Sequence, residues 1–211
     1  MHMILWPAVI TLAITLLRLV GELQGWSKAF FNPAAGGGGA IVGISWLPFF
    51  VGPYFAWKLA RDGRGPRSPW KVAGLALLGI LAAIAVFVGA FSLLGVRLES
   101  ILLADLLGLA AAFVPWKAWP ELGKVLLAYA FAARVPVAIL MLFAVFGSWG
   151  THYDVLPPDP PPSLLEMGLL GRWFYIGFLP QLTVWIAHTV LIGTLFGAAV
   201  VAVAKPKPKA A

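Results

Sequence analysis

The chain has 211 residues, of which 61% are hydrophobic and only 11% are charged, against roughly 25% charged residues in an ordinary soluble domain. Its 15 basic and 8 acidic residues are too few to cover a water-soluble fold of this size. Cysteine is absent, which excludes a disulfide scaffold and thiol chemistry. The composition therefore predicts a polytopic membrane protein.

Six apolar segments are long enough to cross a bilayer, whose hydrocarbon core of about 30 Å requires roughly 20 helical residues. They are predicted to be helices, because a lipid-exposed backbone must satisfy its own hydrogen bonds and these segments do not alternate as barrel strands do. The predicted spans are residues 4–21, 40–57, 72–96, 100–115, 125–147 and 173–204. The expected fold is an all-α integral membrane bundle in one domain, residues 1–204.

The basic residues indicate the orientation of this bundle. Ten of the 15 fall on one side of the predicted topology, namely Lys58, Arg61, Arg64, Arg67, Lys71, Lys117, Lys124, Lys205, Lys207 and Lys209. Three fall on the other side, namely Lys28, Arg97 and Arg172. Basic loops stay in the cytoplasm, so both termini are predicted to be cytoplasmic, including a basic tail at residues 205–211. The net charge of +7 then reflects topology and contact with anionic headgroups rather than nucleic-acid binding.

Two outer loops carry the non-helical sequence signals. Residues 148–172 are rich in proline, and Ser163 with Glu166 matches a capping box that would begin a short interfacial helix. In the first outer loop, four glycines run from Gly36 to Gly39. Such a run can present backbone N–H groups to an anion, or it can form a flexible or closely packed turn. No lysine or serine completes a phosphate loop, which favours the turn.

Ionisable side chains within spans are candidate functional residues, because burying one without a partner costs at least about 2.5 kcal/mol. Four such residues are present: Arg18, Asp105, Arg134 and His188. Arg18 lies roughly 9 Å and Asp105 roughly 6 Å outward of the middle of their spans, at 1.5 Å per residue. These depths predict an outer Arg18–Asp105 ion pair with Glu22 above it. Arg134 and His188 fall near the midplane and predict a second, deeper polar layer.

Polar residues also follow helical faces. Thr11, Thr15, Arg18 and Glu22 share one face of the first span. Gln181, Trp185 and His188 repeat this spacing in the sixth. One interpretation is that these faces join the helices by hydrogen bonds, and the other is that they line a solute path. His188 is likewise either a structural residue or a proton carrier.

Proline and glycine predict interruptions of three spans. The second contains Pro48, Gly52 and Pro53, the fifth Pro136, and the sixth Pro180. An internal proline leaves a carbonyl four residues back without its partner. Dividing the chain three plus three gives halves of opposite topology in which spans two and five correspond. Paired interrupted helices are typical of a transporter's central site, which raises the possibility of inverted halves.

The residues that enzymes and metal sites require are scarce. The spans contain no lysine at mid-depth, no His-Glu-x-x-His or Gly-x-Ser-x-Gly motif and no pair of carboxylates in one span. His152, Asp154 and Asp159 could meet Glu22 around a metal, but one histidine with scattered carboxylates is not a specific ligand pattern. We therefore expect no metal and no cofactor, and an enzyme is disfavoured.

Two functions remain. The first is a small permease or channel-like protein for a small, anionic solute, in which Arg134 with His188, Gln181 and Trp185 forms the binding site. In this hypothesis His188 exchanges a proton, and Arg18 with Asp105 forms an outer gate. The second is a non-catalytic scaffold or accessory subunit that packs against lipids, membrane proteins or a second copy. Both hypotheses place the chain in a cell membrane, the bacterial inner membrane being the expected one.

Overall fold

A computed structural model describes residues 2–207 of the chain. Within this range the chain is helical, without strands. The first five helices are α1 (His2–Leu23), α2 (Pro48–Arg61), α3 (Pro69–Leu94), α4 (Leu98–Ala111) and α5 (Pro120–Gly147). They are followed by the short helices α6 (Pro162–Glu166), α7 (Leu169–Trp173) and α8 (Leu179–Leu182), and by α9 (Val184–Ala204).

The described part has five helical segments that are long and apolar enough to cross a membrane. They are Met3–Leu23, Pro69–Leu94, Leu98–Ala118, Pro120–Gly147 and Leu169–Ala204. Four helices begin with a proline at the first helical position, where its missing N–H costs nothing: Pro48, Pro69, Pro120 and Pro162. Large apolar side chains remain exposed along α3, as expected of a surface that faces lipid.

The loops gather at two ends of the bundle. The basic end consists of residues 62–68, 112–119 and 205–207, and the indole Nε1 of Trp119 joins two of its loops by donating to Arg64 O at 2.8 Å. The loop end consists of residues 24–47, 95–97 and 148–168. Of the predicted basic tail, Lys205 and Lys207 lie beyond the end of α9, and Lys209 lies outside the described residues.

Glycines bring α2 and α9 into close contact. A Cβ on Gly52 would collide with the backbone of Gly193, and a Cβ on Gly197 would lie 2.8 Å from Ala56 Cβ. From the first contact to the second, the residue number rises on both helices, so α2 and α9 run in the same direction. Glycine is required at this crossing because the two backbones touch.

The structure corrects several sequence-based expectations about the helices. The predicted second span, residues 40–57, is helical only from Pro48, and residues 40–47 form bends and turns. Within α2, Gly52 and Pro53 cause no break. The fifth span also continues unbroken through Pro136. Spans two and five are therefore not a matched pair of interrupted helices, and the argument for inverted halves loses its basis.

The last span, for which the sequence predicts an interruption at Pro180, is interrupted in the structure. Residues Phe174–Phe178 form a π-helical turn, and Thr183 has φ −121° and ψ −81°, which separates α8 from α9. Pro180 sits in this irregular stretch and cannot donate a backbone hydrogen bond. The predicted capping box at Ser163 and Glu166 is also wrong: α6 begins one residue earlier, at Pro162, without a side-chain cap.

Candidate functional site

A cavity of about 560 Å³ opens at the loop end of the bundle. Helices α1, α3, α4 and α5, the interrupted last span and all three loops of this end contribute to its walls. Its rim includes the exposed residues Gly36, Val155 and Pro157, through which it communicates with the surface. Most of the lining is apolar, and the polar side chains are therefore the informative ones.

Arg134 of α5 lies deep in this cavity with most of its hydrogen-bonding capacity unused. The residue is only 3% exposed, and its single hydrogen bond in the described part is a long one of 3.5 Å to Gln181 Oε1. Its Nε has no partner. The guanidinium carbon lies 4.6 Å from the centre of the Trp185 ring, a cation–π contact that fixes the plane of the group. Among the described residues no carboxylate pairs with it.

Asp105 of α4 is the corresponding acidic residue. It is 3% exposed and lines the same cavity, and its Oδ2 has no hydrogen-bond partner. The carboxylate interacts with the side chain of Thr183, at the break in the last span. The cavity thus contains a buried arginine and a buried aspartate, and neither forms an ion pair with another residue in the range 2–207.

The predicted ion pair between Arg18 and Asp105 is wrong. Arg18 Nε donates instead to Glu22 Oε1 at 2.7 Å, one turn along α1. The other nitrogens of Arg18 donate to three backbone carbonyls of the first loop, at 3.0 to 3.2 Å. These carbonyls belong to Asn32, Gly37 and Val42. Four of the five N–H donors of Arg18 are therefore used within the protein.

The run of glycines is a closely packed turn around Arg18. All four glycines have positive φ, from +50° to +83°, a conformation that other residues rarely adopt. A Cβ on Gly37 would lie 2.7 Å from Nη2 of Arg18, whereas a Cβ on Gly36 or Gly39 would meet no atom within 4 Å. The glycines thus allow the loop to bring its carbonyls to the guanidinium.

The loop of residues 148–168 is attached to α1 through Glu22. The backbone N–H of His152 donates to Glu22 Oε2 at 2.9 Å, and His152 Nδ1 lies 2.6 Å from Oε1. Burial lowers the pKa of His152 below its usual 6.5, although the Glu22 carboxylate opposes this shift. Burial also raises the pKa of Tyr153, which remains a neutral phenol and donates to Thr15 O at 3.1 Å.

Asp154 is occupied in the same loop. It accepts hydrogen bonds from the backbone N–H groups of Gly150 and Thr151 and from the Thr151 hydroxyl, at 2.7 to 2.9 Å. Within residues 2–207 no group of three or more His, Asp or Glu residues is placed to hold a metal ion. Of the four metal candidates, only His152 and Glu22 are in contact.

His188 does not line the cavity. Its Nε2 donates to Ser45 O at 2.8 Å, and its ring contacts the edge of Trp185 with centroids 5.5 Å apart. The bond to Ser45 joins α9 to the loop that precedes α2. In the structure Arg134 contacts Gln181 and Trp185. His188 contacts the Trp185 ring and does not line the cavity.

The polar face of the first span is directed into the bundle, since Thr11, Thr15, Arg18 and Glu22 are each at most 8% exposed. The cavity residues that sequence reasoning missed include Met141, Tyr153 and Tyr175. Met141 lies seven residues after Arg134, two helical turns along the same face of α5, and that spacing could have identified it. The tyrosines lie in a loop and a π-helical turn, where no periodicity applies.

The cavity ends at a tightly packed layer toward the basic end. Phe55, Leu126 and Tyr129 are at most 1% exposed and belong to one apolar cluster. The Tyr129 hydroxyl is hydrogen-bonded to that of Thr11 at 2.8 Å, which closes the layer beside α1.

Comparisons with protein-family models, curated proteins and solved structures gave no match to this chain.

Proposed function

We propose that this chain is a small multi-pass membrane permease that binds a solute with an anionic group in the cavity at its loop end. The observation that carries the proposal is Arg134: this residue is 3% exposed, forms no ion pair within residues 2–207, and lines a cavity of about 560 Å³. A buried cation without a counter-ion is strongly destabilising, and a bound anion would remove that cost.

The other cations near the cavity do not compete for this role. Arg18 is neutralised by Glu22 and bound by three carbonyls. The Trp185 ring covers one face of the Arg134 guanidinium, which leaves its edge for an oxyanion. A bidentate contact with a carboxylate, sulfonate or phosphate is the interaction that this geometry favours.

The interrupted last span supports movement of the solute. Pro180, Thr183 and the π-helical turn lie beside the cavity, and such irregular stretches are common at functional hinges. The cavity opens to the loop end and is closed beneath by Phe55 and Tyr129. Rotation of α9 against α2 about the break would open that layer. The basic end is proposed to face the cytoplasm, as its charges predict.

The test is flux into proteoliposomes of a panel of carboxylates, sulfonates and phosphate esters, including 2-phenylethanesulfonate, which stays charged and leaks little through lipid. We expect saturable uptake by the unmodified protein and at least tenfold less by Arg134→Gln. Arg67→Gln removes the same charge from an exposed position at the basic end and is expected to transport normally.

Equal uptake by the unmodified protein and Arg134→Gln, or no uptake of any anion, would overturn the permease. The alternative is a non-catalytic accessory subunit. It would be favoured by a membrane-protein partner that co-purifies in fixed ratio from mild detergent and still does so with Arg134→Gln.

A further inference from the structure

Two residues of opposite charge line the cavity, and neither forms an ion pair within residues 2–207; this arrangement defines the ligand more closely than Arg134 alone. Arg134 and Asp105 are each 3% exposed and both line the cavity. The Nε of Arg134 and the Oδ2 of Asp105 have no hydrogen-bond partner. No ion pair joins the two residues, although their charges are complementary. The cavity therefore offers one binding point for an anion, at Arg134, and a second one for a cation, at Asp105.

The remaining charged groups around the cavity are already committed or lie at its rim. Glu22 neutralises Arg18 and contacts His152, and Asp159 is exposed. The buried, unused charge inside the cavity is thus one positive and one negative group. A simple anion would satisfy Arg134 and leave the Asp105 carboxylate buried without a counter-ion, which is unfavourable.

Most other residues that line the cavity are apolar or aromatic, Phe87, Phe91, Ile101 and Val137 among them. They are suited to a hydrocarbon or aromatic body. From these observations we infer that the ligand is a zwitterion with an apolar part. Its oxyanion binds Arg134 and its ammonium group binds Asp105. This inference rests on the proposed function and narrows its substrate class.

A free amino acid and the headgroup of phosphatidylethanolamine share this chemistry. The first experiment tests the free form by calorimetric titration of the purified protein with three probes that share a phenylethyl unit: phenylalanine, 3-phenylpropanoate and 2-phenylethylamine. The second probe lacks the ammonium group and the third lacks the carboxylate. We expect phenylalanine to bind at least tenfold more tightly than either.

Variants assign the two ends of the ligand. Asp105→Asn is expected to reduce the affinity for phenylalanine to that of 3-phenylpropanoate and to leave the latter unchanged. Arg134→Gln is expected to weaken both. Glu99→Gln, which removes an exposed carboxylate near the start of the same helix, serves as the matched control and is expected to alter neither.

The second experiment tests the lipid form. In nanodiscs with equal amounts of phosphatidylethanolamine and phosphatidylglycerol, native mass spectrometry of the released protein reports which lipid it retains. Retention of phosphatidylethanolamine that Asp105→Asn abolishes would support a lipid ligand. Binding of phenylalanine without such retention would support a free solute.

Two results separate the failure of this inference from that of the proposed function. If 3-phenylpropanoate binds as tightly as phenylalanine, Asp105→Asn has no effect and neither lipid is preferred, the zwitterion is wrong while the anion site stands. If no probe or lipid binds in a manner that depends on Arg134, both proposals fail.

Discussion

Glu22 on the first helix accepts a hydrogen bond from the backbone N–H of His152, 2.9 Å away and 130 residues later in the chain. The same carboxylate binds Arg18, which holds the first loop through three carbonyls. One buried acidic residue therefore fixes both loops that form the mouth of the cavity.

Replacement of Glu22 by alanine is expected to lower the free energy of unfolding by about 3–5 kcal/mol, because Arg18 would remain buried without its counter-ion. The measurement is thermal or denaturant unfolding in detergent. Glu99→Ala removes an exposed carboxylate and is expected to change stability by less than about 0.5 kcal/mol. Equal stability of the two variants would contradict the role assigned to Glu22.

Gly37→Ala is expected to destabilise the first loop more than Gly39→Ala does. Both glycines have positive φ, +83° and +73°, so both substitutions incur the same backbone strain of about 1–2 kcal/mol. Only at position 37 would the new Cβ meet Arg18, at 2.7 Å. Unfolding midpoints and proteolysis of residues 24–47 measure the difference, and identical behaviour would argue against the packed turn.

At the crossing of α2 and α9, Gly52→Ala is expected to destabilise the bundle by at least about 1–3 kcal/mol, the usual cost of overpacking. The new methyl group would collide with the backbone of Gly193. Gly74→Ala in α3 meets no atom within 4 Å and is expected to have the opposite sign, since alanine favours a helix by about 1 kcal/mol. Comparison of the two unfolding midpoints tests the close contact.

Lowering the pH is expected to destabilise the loop of residues 148–168. The pKa of His152 is lowered in the folded protein, so below about pH 6.5 the unfolded chain binds more protons than the folded one. The contribution of His152 to stability is therefore complete above pH 6.5 and falls as the pH drops toward its folded pKa. Unfolding midpoints of the unmodified protein and His152→Gln, measured from pH 8 to pH 5, check this sign. The variant is expected to show the smaller decline.

Hydropathy was sufficient to predict the long apolar helices, because transfer of an apolar side chain depends little on its neighbours. It failed at residues 40–47, which are apolar and yet not helical. The reason lies elsewhere in the chain: Arg18 requires acceptors, and unwound backbone such as the Val42 carbonyl supplies them. No local sequence window contains this contact with α1.

The residues of the candidate site were also predicted only in part, because some of their contacts depend on distant parts of the chain. Depth along each span grouped Arg134 with His188, and helical spacing added Gln181 and Trp185; in the structure Arg134 contacts Gln181 and Trp185, and His188 is not among the lining residues. The partner of Arg18 could not be obtained from depth, because Glu22 on the same helix and Asp105 on another were both within range. Rotation of each helix about its axis decides between them, and that rotation is set by packing of all helices together.

For the proposed permease, the layer of Phe55, Leu126 and Tyr129 beneath the cavity has a kinetic consequence. A pore conducts without changing shape, whereas a blind pocket delivers one molecule each time the protein rearranges. Planar-bilayer recordings would then show no unitary conductance, and the rate per protein molecule would level off as solute concentration rises. Smaller side chains in this layer are expected to let solute pass through the proposed permease without a rearrangement of the protein.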